Sequence, residues 1–362
     1  MPSFPQFYNK IFDYSLKKGT HIKFIDMLKS SPIKYKYIIP ATTKHIYNEM
    51  PIRLAKRVTD LNNLPFGLAK NHSINKIREW YLTSFLELTH TKEPVTETEI
   101  IEFKNTIEKI YDRHSSTLIT ISKGLYELKM DNKISDIEAP MIQTFLNKFH
   151  TNRTEIRILL EQYLSFFEKS RGENHFGIVN LKSDIKLIII NTIEDIQSIC
   201  DKNRLNLELS DIIKLNFNSQ IIIPCIDHYL RYILFELIKN SIEAIKLKSD
   251  PRIEITVREI DENWILIKIE DNGIGIKDTD KDKIWYYSFT TSPIDSSSDI
   301  IENNDFSITS PLSGFGYGLP ISDIYINFFN SSSNNIKIDS IYKKGTIIYV
   351  YLRKYRIESF RL

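Results

Sequence analysis

From Asn9 to about Ser165 apolar positions recur at intervals of three and four, a helical period, and only three glycines precede position 170. In the run Ile74 to Leu88, the residues Ile74, Ile77, Trp80, Tyr81, Ser84, Phe85 and Leu88 share one stripe and predict a core-facing helix. The segment TETEIIEFKNTIEKIYDRHSSTLITISKGLYELK, starting at Thr96, keeps this period past ~25 residues and predicts one long bundle helix. SDIEAPMIQTFLNKFHTNRTEIRILLEQYLSFF predicts a further pair, with a break at His150 to Asn152. Four long helices with short connections predict an antiparallel four-helix bundle over residues 1–170.

The pattern changes after Glu168 to Gly177, a polar stretch with two glycines that reads as a linker. SDIKLIIINTIEDIQSIC is rich in β-branched residues, yet Ile185, Ile188, Ile189, Thr192, Ile193, Ile196 and Cys200 form a helical stripe behind a Ser183 cap. Strands are predicted at Leu205 to Leu209, Gln220 to Pro224, Arg252 to Val257 and Trp264 to Glu270. Two more, Asn335 to Ile338 and Thr346 to Leu352, flank a turn at Lys343 to Gly345. The fold class is therefore α+β: the bundle, then a domain over residues 178–362 with a mixed sheet and helices on one face.

One helix in this second half carries unusual polar residues. In FELIKNSIEAI and the leucine before it, Leu234, Leu237, Ile238, Ser241 and Ile245 take one side, while Glu236, Asn240 and Glu243 take the other with Lys239 beside them. Two glycine clusters follow, DNGIG at Asp271 to Gly275 and GFGYGLP at Gly314 to Pro320, and they hold five of the eleven glycines. Glycine lets the backbone approach a ligand closely, and N–H groups exposed in such turns hold phosphate oxygens. Between the clusters, SPIDSSSDIIENNDFSITSP is too polar to bury much surface and reads as a mobile lid near 290–313.

Composition narrows the function classes. The 362 residues suit two domains, and 42% hydrophobic with 26% charged residues is globular. A net charge of +2 gives no general pull toward nucleic acid or acidic lipid. Cys200 and Cys225 are the only cysteines, without metal spacing or a disulfide framework. No apolar run reaches the ~18 residues of a membrane span. The first nineteen residues lack the arginines of a clear transit peptide and leave targeting undecided.

An order of ELxKN on a helix, then a strand running into DxGxG, then GxGxG entering a second helix resembles the ATP-binding domain of Hsp90-type chaperones, type II topoisomerases, mismatch-repair ATPases and sensor histidine kinases. This resemblance implies an α/β sandwich. Asp271, directly after a strand, is the candidate acceptor for the adenine amine, and Gly273 and Gly275 would let the backbone lie against the base. Thr290 or Thr291 could donate a hydroxyl. A hard divalent cation prefers oxygen ligands and keeps several waters, so Asn240 is the candidate metal ligand. Glu236, one turn earlier, is placed as the general base, with Lys239 facing the phosphates or, alternatively, solvent. Gly314, Gly316 and Gly318 would wrap the β- and γ-phosphates.

The stretches MPIRLAKRVTDLNNLP, WYLTSFLEL, YDRHSS, FLNKFHTNRTEIRILL, LFELIKN, SFTTSP and PLSGFGYGLPIS resemble the mitochondrial protein kinases of 2-oxo-acid dehydrogenase complexes. That resemblance implies a serine kinase of the mitochondrial matrix that phosphorylates and inactivates the dehydrogenase α subunit. It implies docking to a lipoyl domain of the core acyltransferase, a homodimer, and ATP with Mg2+, leaving K+ open. It extends the nucleotide-contacting set to Ala244, Phe315, Tyr317 and Leu319, and adds His114 to Glu236 and Lys239 as catalytic candidates. GFGYGLP and TNRTEIRILL match the pyruvate branch; YILFELIKN, YSFTTS and ESFRL match the branched-chain branch. The chain departs at Tyr232, where the pyruvate branch has a histidine, at Tyr163, and at Asn272 and Ile274 within DNGIG; the pyruvate-type tail motif is missing. Two rival readings attach to the same residues: a self-phosphorylating histidine kinase, and a non-catalytic ATP-gated docking module.

Overall fold

The computed structural model describes residues 4–31, 35–64, 68–130, 139–168, 172–202, 205, 207–291 and 316–355. The chain divides into two compact units. The first takes Met1–Ile22 and Ile33–Gly172; the second takes Lys23–Pro32, Glu173–Ser297 and Phe306–Leu362.

In the first unit lie α1 (Phe4–Leu16), α3 (Tyr35–Asn62), α4 (His72–His90), α5 (Glu97–Arg113), α6 (Thr117–Met130) and α7 (Ala139–Ser165); α2 (Phe24–Ser30) belongs to the second. Local signals start these helices where expected. Thr96 and Glu99 form a reciprocal capping box at α5, and Asn71 Oδ1 accepts from Ile74 N–H at the start of α4. Side-chain pairs show the antiparallel order. Thr43, Arg53 and Asp60 along α3 meet Tyr163, Glu155 and Lys148 in reverse order along α7. Tyr47 and Asn62 likewise meet Thr91, just beyond α4, and Arg78 on α4. Pro40 and Pro51 lie inside α3, each removing a backbone donor. The helix persists because Met50, Leu54, Ala55 and Val58 are buried.

Two helix expectations are corrected. The single helix from Thr96 is interrupted at His114–Ser116, where Thr117 N–H bonds to the His114 carbonyl and α6 begins. Ser115 and Ser116 are weak helix formers, and the turn carries His114 into the core against Ser84. Conversely, α7 runs unbroken through His150–Asn152: no glycine or proline stands there, and Phe149 and His150 are fully buried.

The second unit contains β1 (His175–Phe176), β2 (Val179–Asp184), α8 (Ile185–Lys202), α9 (Leu209–Ile212), β3 (Ile213–Phe217), β4 (Ile222–Cys225), α10 (Asp227–Ile245), β5 (Ile253–Glu259), β6 (Trp264–Asp271), α11 (Gly318–Asn330), β7 (Ile336–Ile341) and β8 (Gly345–Arg353). The main sheet has the order β3-β5-β6-β8-β7; β3 and β5 are parallel and the other pairs antiparallel. Ile253, Ile255 and Val257 on β5, Ile265, Ile267 and Ile269 on β6, and Ile348, Val350 and Leu352 on β8 are all buried, each set with the two-residue period of a strand. Helix α10 packs against β6 and β8, α11 against β8, and α8 against α10.

Several strand expectations change. The Gln220 to Pro224 strand is β4, but it pairs with β2 in a separate three-stranded sheet, β1-β2-β4. The described part of Leu205 to Leu209 is not a strand; the Gln197 side chain accepts from Leu209 N–H and starts the short α9 instead. The cap of α8 is Asp184, accepting from Lys186 and Leu187 N–H, while Ser183 donates to Asp227. Residues Lys23–Pro32, expected in the bundle, join the second unit because Phe24 and Leu28 are buried there. Most of the expected lid, 292–313, lies outside the described residues.

Candidate active site

Helix α10 brings the sequence-predicted segments together through a series of contacts along its length. Its apolar side is in the core, with Leu234, Leu237, Ile238 and Ile245 fully buried. Its polar side is largely covered too: Glu236 is 3% and Lys239 2% exposed, so the solvent-facing alternative for Lys239 is corrected. Lys239 Nζ lies 2.9 Å from both carboxylate oxygens of Glu236. A buried pair with this bridging geometry resists separation, because losing one partner leaves an uncompensated charge.

What covers Glu236 is the first residue of α11. A Cβ at Gly318 would stand 2.9 Å from Glu236 Cδ and 3.2 Å from Cγ, and closer still to Oε2. Only glycine allows this approach. The carboxylate thus sits at the positive end of α11, where Gly318 and Leu319 N–H groups precede the first intrahelical bond. That bond runs from Ile321 N–H to the Tyr317 carbonyl, and Pro320 has no N–H to leave unsatisfied.

One turn beyond Asn240, which is exposed, α10 meets the DNGIG cluster. Asp271 ends β6, paired with Ile253 and Thr346, and is 5% exposed. Ser241 Oγ donates to Asp271 Oδ2 at 3.1 Å, and Gly273 N–H donates to Oδ1 at 2.8 Å. A carboxylate offers about four lone-pair sites, so beside these donors and Thr346 it can accept one further hydrogen bond. Burial raises its pKa above the usual value of 3.8, opposed by the hydrogen bonds from Gly273, Ser241 and Thr346. Gly273 packs on Ala244, whose carbonyl accepts from Ile274 N–H. Gly275, at φ 64°, lies against the Ile341 backbone, where any side chain would collide.

The SFTTSP segment joins the second glycine cluster. Ser288 N–H donates to the Gly316 carbonyl at 3.1 Å, and a Cβ at Gly316 would fall 2.6 Å from Phe289 N. Thr290, half-buried, and Thr291, exposed, follow directly. Tyr317 is buried with its ring 5.4 Å from that of Tyr287, and Leu319 is buried in the first turn of α11. Gly314 and Phe315 lie outside the described residues. His114 lies within the helical unit, 4% exposed, its Nε2 2.9 Å from Ser84 Oγ. Burial, then the charges of Arg113, Arg153 and Arg157, lower its pKa to about 3, so it is neutral near pH 7.

Sequence reasoning missed three parts of this arrangement. Ser241 reads as part of an apolar stripe, yet it holds Asp271. Gly345 reads as a plain turn residue, but at φ 140° a Cβ there would stand 3.1 Å from Asn272 Cα and closer still to the Asp271 carbonyl oxygen, a space only glycine fits. Asn272 itself bonds Arg252 N–H and the Asp250 carbonyl, tying the cluster to the start of β5. An Asn between Asp and Gly, and a Gly before the last strand, were the available signals.

Comparison with known proteins places both halves. Residues 22–180 match the family described as mitochondrial branched-chain alpha-ketoacid dehydrogenase kinase. Residues 226–356 match the histidine kinase-, DNA gyrase B- and HSP90-like ATPase family. The chain is 30% identical over 322 residues to mitochondrial pyruvate dehydrogenase (acetyl-transferring) kinase isozyme 4 of Ictidomys tridecemlineatus, covering 86% of this chain and 76% of that one. The human isozyme 4 is 28% identical over the same shares, and isozyme 1 of Rattus norvegicus is 28% identical over 86% of this chain and 72% of its own. A buried acid–lysine pair beneath a glycine-opened helix, a buried aspartate at a strand end and matches that span both halves identify the chain as a member of the mitochondrial 2-oxo-acid dehydrogenase kinase family, with an ATP-binding domain of the histidine kinase/HSP90 type.

Proposed function

We propose that this chain is a protein serine kinase of the mitochondrial matrix that transfers the γ-phosphoryl group of ATP to the α subunit of a 2-oxo-acid dehydrogenase and switches that complex off. The observation that carries this reading is the convergence on α10: Glu236 beneath Gly318, Ser241 on Asp271, and Ala244 on Gly273. Asp271 would accept the adenine amine with its remaining lone pair, while the glycines at 273 and 275 keep the neighbouring surface free of side chains. Thr290 or Thr291 would add a hydroxyl. The N–H groups of Gly318 and Leu319, at the positive end of α11, suit phosphate oxygens.

Asn240 fits a magnesium ion because its amide is exposed and a small hard cation needs few protein oxygens when phosphates and water supply the rest. Mg2+ would neutralise charge on the phosphates. Glu236 takes the proton from the serine hydroxyl as its oxygen bonds to the γ-phosphorus and ADP leaves. Lys239 holds the carboxylate in place.

Pyruvate dehydrogenase kinases among the relatives favour the pyruvate complex, while the family matched over 22–180 is the branched-chain one. Lipoyl-domain docking, the homodimer and K+ belong to the same reading. Incubation with Mg-ATP and each purified α subunit tests it: phosphoserine is expected on one of them, and its absence from both counts decisively against a kinase. The non-catalytic reading, motivated by Tyr232, loses if Glu236→Gln abolishes turnover while ATP binding is intact.

A further inference from the structure

Helix α2 is seven residues long, too short to hold together alone in water. Its order comes from Phe24 and Leu28, each 1% exposed. Phe24 meets Phe328 and Phe329, the last aromatic residues of α11, at ring separations of 6.1 and 5.3 Å, and Tyr355 at 5.6 Å. All are edge-on arrangements, which aromatic rings prefer. The same end of α11 is tied to the sheet: Tyr355 Oη donates to the Phe329 carbonyl, Asn330 donates to the Tyr351 carbonyl, and Arg353 N–H donates to Asn330 Oδ1. Phe24 therefore fills the corner formed by α11 and the segment after β8.

The other end of α11 is Gly318, seated on Glu236 with no spare space. On a helix of 3.6 residues per turn, Gly318, Ser322, Tyr325 and Phe329 follow one another along a single face. Tyr325 stacks on Tyr229 of α10 at 4.4 Å and meets Tyr232 edge-on at 5.3 Å. A rigid helix held at both ends transmits a tilt at Phe329 to the placement of Gly318.

We propose that Phe24 is a positioning residue of the ATP site: α2, though distant in the chain from the ATP-binding sequence, wedges the far end of α11 so that its first turn stays registered on Glu236. The proposal rests on the nucleotide reading above. Its test uses the full chain carrying Phe24→Ala, with Phe24→Leu as the conservative variant and Phe103→Ala, a buried residue of the helical unit, as the control. Two quantities are read: the affinity for a non-hydrolysable ATP analogue with Mg2+, and amide hydrogen exchange over residues 319–325. Phe24→Ala should weaken the analogue at least tenfold and speed exchange in that segment. Phe24→Leu should restore both to within about threefold, and Phe103→Ala should leave exchange at 319–325 unchanged.

Folded Phe24→Ala with wild-type affinity and wild-type exchange overturns the proposal. So does an equal change in Phe103→Ala, which marks a general loss of stability. Should Phe24→Ala fail to fold, Leu28→Val makes a smaller cut in the other buried side chain of α2, and unchanged affinity and exchange there overturn it equally. A wild-type chain that binds no nucleotide refutes the ATP reading, while the exchange measurement still reports on whether α2 holds α11.

Discussion

Gly318→Ala adds a single methyl group where the structure has room for none. Gly318 does not adopt a positive φ, so the backbone itself tolerates alanine and the whole effect comes from contact with Glu236. The carboxylate would have to rotate away, and it is held by Lys239 at 2.9 Å. Forcing a methyl into a packed site costs about 1–3 kcal/mol, and losing a charge-assisted hydrogen bond about 1.5–3 kcal/mol. Replacing glycine by alanine returns about 0.4–1 kcal/mol through the unfolded chain. The net expectation is a loss of roughly 2–5 kcal/mol in folding stability from these terms. Turnover is the sharper readout, because displacing a catalytic group by about 1 Å can cost on the order of a hundredfold. Single-turnover phosphoryl transfer should fall by about that factor in Gly318→Ala. Nucleotide affinity should change far less, since the methyl meets only the Glu236 side chain and leaves the backbone N–H groups at the start of α11, as well as Asp271 and Asn240, in place. A variant with transfer rate and stability both within twofold of wild type would refute the idea that Gly318 seats the base.

Further expectations follow from other contacts. Lys239→Met strands the buried Glu236 carboxylate and should cost about 3–5 kcal/mol, read from urea unfolding; a loss under 1 kcal/mol would mean the pair is not closed in solution. Asp271 has a raised pKa, so its neutral form is favoured by the fold. Its contribution to stability is present below 3.8 and is lost as pH rises through the raised value. Nucleotide binding needs the ionised form and should therefore decline on acidification at a higher pH than an ordinary aspartate gives, as isothermal titration across pH 4–7 would show. His114 carries the opposite sign: with its pKa lowered from 6.5 to about 3, its contribution is present above 6.5 and is lost as pH falls toward 3. It should remove about 1.4 kcal/mol per pH unit in that window, and His114→Gln should flatten the pH dependence of unfolding by that slope. Gly275→Ala, at φ 64° and against the Ile341 backbone, should lower the melting temperature, whereas an unchanged value would show that the loop can move.

The polar spacing on α10 and both glycine clusters were legible because each is a local pattern: helical period for Glu236 and Asn240, and glycine where backbone meets another group. What lay over the polar side of α10 was not. A helical period says which residues share a face; it does not say that Gly318 closes over Glu236 and buries Lys239 with it. The break at His114 escaped for a related reason, because α6 resumes with apolar residues in nearly the same phase as α5. Strand β2 gave little signal: VNLKSD alternates poorly, and its pairing with β4 shifts register between Asn180 and Ser183. Strand β3 did alternate, with Ile213, Leu215 and Phe217 on one face, and could have been found. The placement of α2 was out of reach of local reasoning, since Phe24 finds its aromatic partners at the opposite end of the chain.

The most direct test of the nucleotide site is equilibrium binding of a non-hydrolysable ATP analogue, with and without Mg2+, to wild type, Asp271→Ala and Asn240→Ala. Wild type should bind, more tightly with the cation; Asp271→Ala should lose binding under both conditions, and Asn240→Ala should lose only the gain from Mg2+. Wild-type protein with no affinity for the analogue, or Asp271→Ala binding as well as wild type, would contradict a nucleotide pocket organised along α10.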